Sequence, residues 1–283
     1  MTVLIAAKNE VLNLPKCLKA LQPAESVVLL DSHSFDDTAK IAKKAGVKVV
    51  QFHYKGGYPK KRQWALDHLK IKTPWVLLID ADEEVTEELW GEIRQVVDSA
   101  DVCEAYFIRK QFHFMGKKFK FGGFSFDAVL LFRRGKARFE HLIDEPKESM
   151  DMEVHERLIV EGKIGKIESP LVHNDYKGLE AYLDRHNRYS TWEAKVRKLF
   201  LETGRYGQSS IQPKLFGNAQ ERRRFFKKIA LRAPFEPCLW FIYHYFFKLG
   251  FLEGKRGLIA SSIRAQYIFQ VRAKMDELGL KDL

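Results

Sequence analysis

Two acidic features carry the most chemistry. Asp80-Ala81-Asp82-Glu83 follows the apolar run Trp75-Val-Leu-Leu-Ile, and Asp31 closes a second such run, Ser26-Val-Val-Leu-Leu. Carboxylates crowded at the end of a buried strand repel one another, and burial penalises their ionised forms unless a cation or a set of donors offsets the charge. A divalent metal is the economical counter-charge, and magnesium or manganese suits oxygen ligands of this kind. The bland reading is that these acids only favour the N-terminus of a helix beginning near Thr86. The density of carboxylates argues for the metal.

The elements that must position these groups are legible from hydropathy. Thr2-Val-Leu-Ile-Ala reads as a strand, followed by a helix capped at Asn9 with Leu12, Leu14, Leu18 and Leu21 on one side. Asp36-Asp37-Thr38 opens a second helix that stops at Gly46; Val47 to Phe52 gives a third strand, Tyr58 to Leu69 a third helix and Trp75 to Ile79 a fourth strand. Strands alternating with helices imply a mostly parallel sheet covered on both faces, and in such sheets ligands bind beyond the carboxyl ends of the strands. Asp31 and Asp80 both fall at such ends. Beyond Val85 the pattern is mixed: a helix from Thr86 to Val97, strands around Ala105 to Phe114 and Val129 to Phe132, a long helix from Leu179 to Leu201, then a polar segment from Thr203 to Gln220 read as a linker or lid.

A chain of 283 residues, 46% hydrophobic, buries a sizeable core and suits one catalytic domain with an appendage. The strand beginning at Thr2 leaves no secretory signal to be expected, and Cys17, Cys103 and Cys238 read as ordinary buried thiols in a reducing compartment. The net charge of +11 is concentrated late: residues 200–283 hold 15 Lys/Arg against 7 Asp/Glu.

Ala7-Lys8-Asn9-Glu10, Asp31-Ser32-His33-Ser34-Phe35-Asp36-Asp37-Thr38 and Asp80-Ala81-Asp82-Glu83 form an ordered series after the first, second and fourth strands. The series resembles the family-two glycosyltransferases, which commonly show N-E, D-S-x-S-x-D-x-T and D-x-D at those places. Val154-His155-Glu156-Arg157-Leu158, Leu171-Val172-His173 and His186-Asn187-Arg188-Tyr189-Ser190-Thr191 are similar to the branch that contains the lipopolysaccharide-core glucosyltransferases. Each motif alone is weak; together, in order, they are specific.

The resemblance implies a fold and a set of roles. The fold is α/β, a Rossmann-like mostly parallel sheet flanked by helices, of the nucleotide-diphospho-sugar transferase type, with a helical C-terminal appendage. Residues 1–200 would be the catalytic domain (1–97 its nucleotide-binding half, 98–200 its acceptor half) and 201–283 a basic, aromatic helical region. The activity implied is inverting, metal-dependent transfer of a hexose, with glucose as the family-level expectation, from a UDP-sugar to a lipid-anchored glycan such as lipopolysaccharide core. Asp31 would accept the uracil imide N–H, with Ala6, Ala7 and Glu10 beside the nucleoside. Lys60 and Arg62, opening the third helix after Gly56-Gly57, would meet phosphate with help from the helix dipole. Asp82 would bind the metal, Asp80 the metal or the ribose with Ala81 alongside, and His173 would join the metal shell. Glu156 would be the base that activates the acceptor hydroxyl, with Asp144 and Glu145 as rivals. Phe124 and Phe126 would line the sugar pocket or simply pack in the core.

The C-terminal region interleaves cations with aromatics: Arg222-Arg223-Arg224-Phe225-Phe226-Lys227-Lys228, then Cys238 to Phe247, then Lys248. The apolar run is far short of the ~20 residues a spanning helix needs, and Trp and Tyr favour the interface, so the expectation is attachment to an anionic membrane surface, in a cytoplasmic protein on the inner face of the membrane. The alternative is a helical hairpin packed on the catalytic domain. Nucleic-acid binding is not expected, because no reader motif accompanies the basic cluster. Competing functions are a nucleotidyltransferase, against which the absence of a glycine-rich basic signature after the first strand argues, and a catalytically silent surface-binding module, against which the intact acids argue.

Overall fold

The apolar runs form the strands they imply. The computed structural model describes residues 1–99, 103–144, 146–147, 149–154, 156–207, 211–231, 233 and 235–280, so Glu145 and His155 lie outside the described residues. In chain order the first elements are β1 (Thr2–Ala7), α1 (Leu14–Ala20), β2 (Ser26–Asp31), α2 (Thr38–Lys44), β3 (Lys48–Gln51), α3 (Lys61–His68), β4 (Trp75–Asp80), β5 (Glu83–Glu84) and α4 (Glu87–Asp98). Strands β6 (Ala105–Phe114), β7 (Lys117–Lys118), β8 (Phe126–Arg133), β9 (Ala137–Phe139), β10 (Leu158–Val160), β11 (Ile164–Lys166) and β12 (Leu171–His173) follow. Contacts divide the chain into two units. One comprises Met1–His113, Phe126–Phe139 and Asp144–Lys177; the other comprises Phe114–Ser125, Glu140–Ile143 and Gly178–Leu283.

The first unit is the expected α/β fold. Its main sheet runs β3-β2-β1-β4-β8-β6-β12-β5, with β1 parallel to both β2 and β4. Every residue of β1 is buried, as continuous apolar strands between two helical layers must be. Leu14, Cys17 and Leu21 of the α1 region and Leu89, Trp90 and Ile93 of α4 pack with Val3, Ile5, Leu77 and Ile79 in one core. Register places Ala7 opposite Asp31 and Ala6 opposite Asp80, so the two acids flank the end of β1 where strand order reverses.

Several boundaries differ from the sequence reading. α1 starts at Leu14 with Asn13 before it, because Asn9 takes a left-handed backbone (φ 57°) and spends its side chain on the neighbouring loop. α3 begins at Lys61 rather than Tyr58. Thr86 caps α4 by accepting from Leu89 N–H, so the helix finds its cap without the acids at 80–83. Cys238 is exposed and Cys103 half-buried, against the expectation of buried thiols; Cys17 is buried as expected.

The second unit is built on α5 (Gly178–Thr203), α6 (Ala219–Ala230), α7 (Glu236–Ile242) and α8 (Lys255–Leu280), with a π turn (Tyr243–Phe247) and a 3-10 turn (Gly250–Glu253) joining the last two. The His186–Thr191 motif lies on α5, where Lys274 of α8 donates to the Asn187 carbonyl, Ser190 Oγ and Thr191 Oγ1, each at 2.8 Å. The basic run on α6 is only partly a solvated face. Arg224 is buried and donates to both oxygens of Glu140, and Lys227 pairs with buried Glu193 at 2.8 Å. In the Thr203–Gln220 segment, Tyr206 is buried against Phe200 with ring centroids 4.2 Å apart, which fastens the stretch expected to be a linker or lid at that point.

His244 gives this unit a pH dependence. Its ring lies between Phe124 and Trp240, Nδ1 donates to the Gly122 carbonyl at 2.6 Å, and Nε2 is buried with no hydrogen-bond partner among the described residues. Burial pushes its pKa down to about 4, the Gly122 carbonyl opposes that, and Arg264 and Lys248 reinforce it. Between about 6.5 and 4 the unfolded chain therefore binds a proton that the folded one refuses, and stability is lost as pH falls through that window. We expect denaturant unfolding to show a loss of up to about 3 kcal/mol from this group, absent in His244→Phe. Equal acid sensitivity of the two proteins would refute the assignment.

Candidate active site

The loops after β1 and β2 are knitted together by the residues of their motifs. Asn9 N–H donates to Ser34 Oγ (2.8 Å), Glu10 N–H to Thr38 Oγ1 (2.7 Å) and Val11 N–H to Asp36 (3.2 Å), while Phe35 N–H donates back to Asn9 Oδ1 (3.1 Å). Short polar side chains that satisfy backbone donors are what such turns need. Asn9, Ser34, Asp36 and Thr38 are thus cross-links that tie together the two loops bordering the crevice. Asp31, buried at its floor, accepts from the Ser34 hydroxyl, from Ser34 N–H and from Gln51 Nε2 at 2.8 Å. Glu10 is held by Asn13 Nδ2 at 2.8 Å and Lys177 Nζ at 2.6 Å. Burial raises the Glu10 carboxyl above the usual range against the opposing pull of Lys177.

The acids after β4 sit in two different environments. Asp80 is clamped by Arg62 and by Lys110, the latter at 2.9 Å, and Lys110 also reaches the fully buried Glu83 at 2.6 Å. Glu83 in turn accepts from Asp80 N–H. Burial alone would raise the Asp80 carboxyl, but Arg62 and Lys110 outweigh it and hold it well below the carboxylate range. Glu83 goes the other way: burial dominates, Lys110 opposes it and the Asp80 charge adds to it, so its carboxyl is raised. For Lys110, burial works against the charge, yet Asp80 and Glu83 prevail and raise its pKa. Asp82 points elsewhere, toward His173 Nε2 at 3.3 Å. β12 brings this histidine there by lying between β6 and β5, opposite Phe112 and Glu83, while Asn174 N–H ties the following residue to the Asp82 carbonyl. Burial disfavours a charged His173, but the Asp82 carboxylate overrides it and raises the pKa.

The start of α3 is closed. Lys61 N–H donates to the Asp151 carbonyl, and Arg62 and Gln63 N–H donate to the Glu153 carboxylate at 3.0 and 2.9 Å. The sequence reading gave phosphate to the Lys60 and Arg62 side chains with help from this helix end; its backbone donors bond to the 151–153 segment. Lys60 pairs with Glu156 at 2.7 Å, both side chains about 4% exposed or less, and Glu156 Oε2 also accepts from Val154 N–H. Asp144 is exposed. Phe124 packs on His244 and Phe119, and Phe126 lies on β8 opposite Lys110.

Four residues of the site escaped the sequence reading: Lys110, Lys177, Gln51 and Lys61. The last is buried, with its ammonium on the Ala7 carbonyl at 3.0 Å and 3.5 Å from Asp151; burial lowers its pKa and Asp151 resists. A lysine inside the aromatic-rich run Ala105–Phe114 was a usable signal for Lys110, because a strand buries a cation only where carboxylates await it. Lys177 and Gln51 had no such mark.

In chemical terms the crevice presents a carboxylate–imidazole pair able to hold a divalent cation, a second carboxylate set between two cations, a third carboxylate at its floor and a fourth beside a lysine. Comparison with known proteins matches residues 2–139 to the family model described as "Glycosyl transferase family 2". The chain is similar to lipopolysaccharide core biosynthesis glycosyltransferase LpsC of Rhizobium meliloti (26% identity over 97% of this chain and 91% of that protein). It is also similar to an uncharacterized glycosyltransferase of Rickettsia typhi (26% identity, 99% of this chain, 88% of that one). Among solved structures, S. aureus TarS 1–349 aligns with 99% of this chain and 91% of its own at 14% identity and a TM-score of 0.44. Residues 2–139 are a family 2 glycosyl transferase domain, and the chain is a glycosyltransferase.

Proposed function

We propose that the chain carries out an inverting, metal-dependent transfer of a hexose from a UDP-sugar to a hydroxyl of a lipid-anchored glycan of the lipopolysaccharide-core kind, at an anionic membrane surface. The observation that supports the reading most is the Asp82–His173 pair at 3.3 Å, set on the far side of the β1 end from Asp31. Among the described residues no three His, Cys, Asp or Glu side chains converge as ligands, so a metal held by Asp82 and His173 needs further oxygens, which a diphosphate supplies. Oxygen and imidazole donors fit manganese or magnesium. When bound, the ion neutralises charge on the departing nucleoside diphosphate. Asp80, already paired with Arg62 and Lys110, serves in this reading as the anchor of the loop and faces the ribose.

The remaining steps belong to side chains. Asp31, oriented by Ser34 and Gln51, accepts the uracil imide N–H, with Ala6, Ala7 and Glu10 bordering the nucleoside. Glu156 takes the proton of the acceptor hydroxyl as that oxygen bonds to the anomeric carbon and the bond from that carbon to the phosphate oxygen breaks, which inverts the centre. Lys60 and Val154 N–H hold both oxygens of Glu156, so the base is pre-oriented.

A thermal-shift panel of UDP-, CDP- and GDP-sugars with and without manganese tests the reading. Uridine nucleotides with manganese should stabilise the protein by about 2.7 kcal/mol at a hundredfold excess over Kd. A larger response to another base, or one indifferent to manganese, would contradict it.

A further inference from the structure

The second unit exposes far more apolar surface than it needs for its own packing. Around the turn joining α7 to α8, Phe246, Phe247, Leu249, Phe251, Leu252 and Leu258 are all more than 40% exposed, with Phe247 at 77%. Lys248, Lys255 and Arg256 are exposed among them. The turn is rigidly built: Leu249 holds a left-handed backbone (φ 58°), and a side chain on Gly257 would stand 1.9 Å from the Gly250 carbonyl oxygen. Beside it lies an open groove of about 480 Å³, its exposed lining almost wholly carbon, between Pro237, Cys238, Phe241 and Ile242 on the α7 side and Ala265, Gln266 and Phe269 on α8. Phe269, on its lip, is 63% exposed.

We infer that the α7–α8 groove seats an acyl chain of an anionic membrane lipid while the Phe246–Leu258 turn enters the bilayer interface. Apolar groups interleaved with cations, on a chain in which no described helix is long and apolar enough to cross a membrane, fit a surface that is negative outside and hydrocarbon within. A second copy of this chain is the competing occupant. Lys248, Lys255 and Arg256 are exposed on this face, so two such faces would meet with like charge, whereas anionic lipid complements it. This inference rests on the membrane-surface part of the proposed function and is independent of the donor and metal.

Cys238 is exposed in the groove wall and provides the probe. In a Cys103→Ser background it takes a bimane label, and the protein is mixed with vesicles of phosphatidylcholine alone or of equal parts phosphatidylcholine and phosphatidylglycerol. We expect co-sedimentation at least roughly tenfold stronger with the anionic vesicles. The bimane emission should shift to the blue and be quenched by brominated acyl chains. Phe247→Ser should weaken sedimentation, and Ala265→Trp should remove the quenching while sedimentation persists. Sedimentation without quenching overturns the groove assignment and spares the surface reading. Failure to sediment with either vesicle overturns both. A lipid-independent blue shift that grows with protein concentration assigns the groove to a second copy and overturns the inference.

Discussion

Asp82→Asn is expected to lower sugar transfer about 10³-fold, the equivalent of ~4 kcal/mol of charge stabilisation at the leaving diphosphate, and to abolish the manganese-dependent part of the nucleotide thermal shift. Stability in the absence of nucleotide should fall less than in Asp80→Asn, because Asp80 is the carboxylate that Arg62 and Lys110 clamp. Asp80→Asn should behave differently. It removes a counter-charge from two cations beside a buried Glu83, so the apo-protein itself should lose stability. Glu156→Gln supplies the control on chemistry: transfer should be lost while affinity for the UDP-sugar stays near that of the parent, the loss of the counter-charge of buried Lys60 showing in stability. Near-normal transfer by Asp82→Asn would remove the metal assignment, and survival of transfer in Glu156→Gln would shift the base to Asp144 or Glu145.

The second large effect is on folding. Arg197, only 1% exposed, donates from Nε to Glu193 at 2.8 Å and from one terminal nitrogen to Glu236 at 2.9 Å. Arg272 pairs with the second oxygen of Glu236 at 3.0 Å, and Tyr267 donates to Glu193. One guanidinium therefore ties α5 to α7, and its two carboxylate partners are tied in turn to α8. Burial works against the Arg197 charge, but Glu193 and Glu236 outweigh it and raise its pKa. Arg197→Met takes the shared cation from two buried carboxylates, leaving Glu193 to Lys227 and Tyr267 and Glu236 to Arg272, and should destabilise the second unit by about 3 kcal/mol, a large part of the 5–15 kcal/mol typical of a whole domain. Denaturant unfolding followed by a probe in this unit measures it. The triple change Arg197→Met with Glu193→Leu and Glu236→Met should recover part of the loss, because it removes the buried carboxylates left short of a cation while releasing Lys227 and Arg272 from theirs. A loss below 1 kcal/mol for the single variant would show that water reaches the network.

Much of the first unit was legible in the amino-acid order because its signals are local. Runs such as Val3–Ala7 and Val76–Ile79 are too apolar to be anything but strands buried on both faces, and the helices between them force parallel pairing. The acids at 31, 80 and 82 were marked by position, each just past such a run. Less legible were elements whose signal depends on distant partners. The α1 boundary moved to Leu14 because Asn9 bonds to Phe35, twenty-six residues away, rather than to the next turn. The exposure of Cys238 depends on how α7 packs on α8.

The sequence by itself determined the α/β class, the order of motifs along the chain and which residue types could meet a nucleotide and a cation, because strand periodicity and side-chain chemistry act within a few residues. Only the tertiary structure decided how those groups pair. It set Asp82 against His173 and gave Asp80 to Arg62 and Lys110. It also buried Lys60 on Glu156 and filled the N-terminus of α3 with Glu153. Each of these pairings joins residues from separate elements. Which partner each carboxylate takes is settled by which cation the folded chain brings to it, and no spacing in the sequence records that.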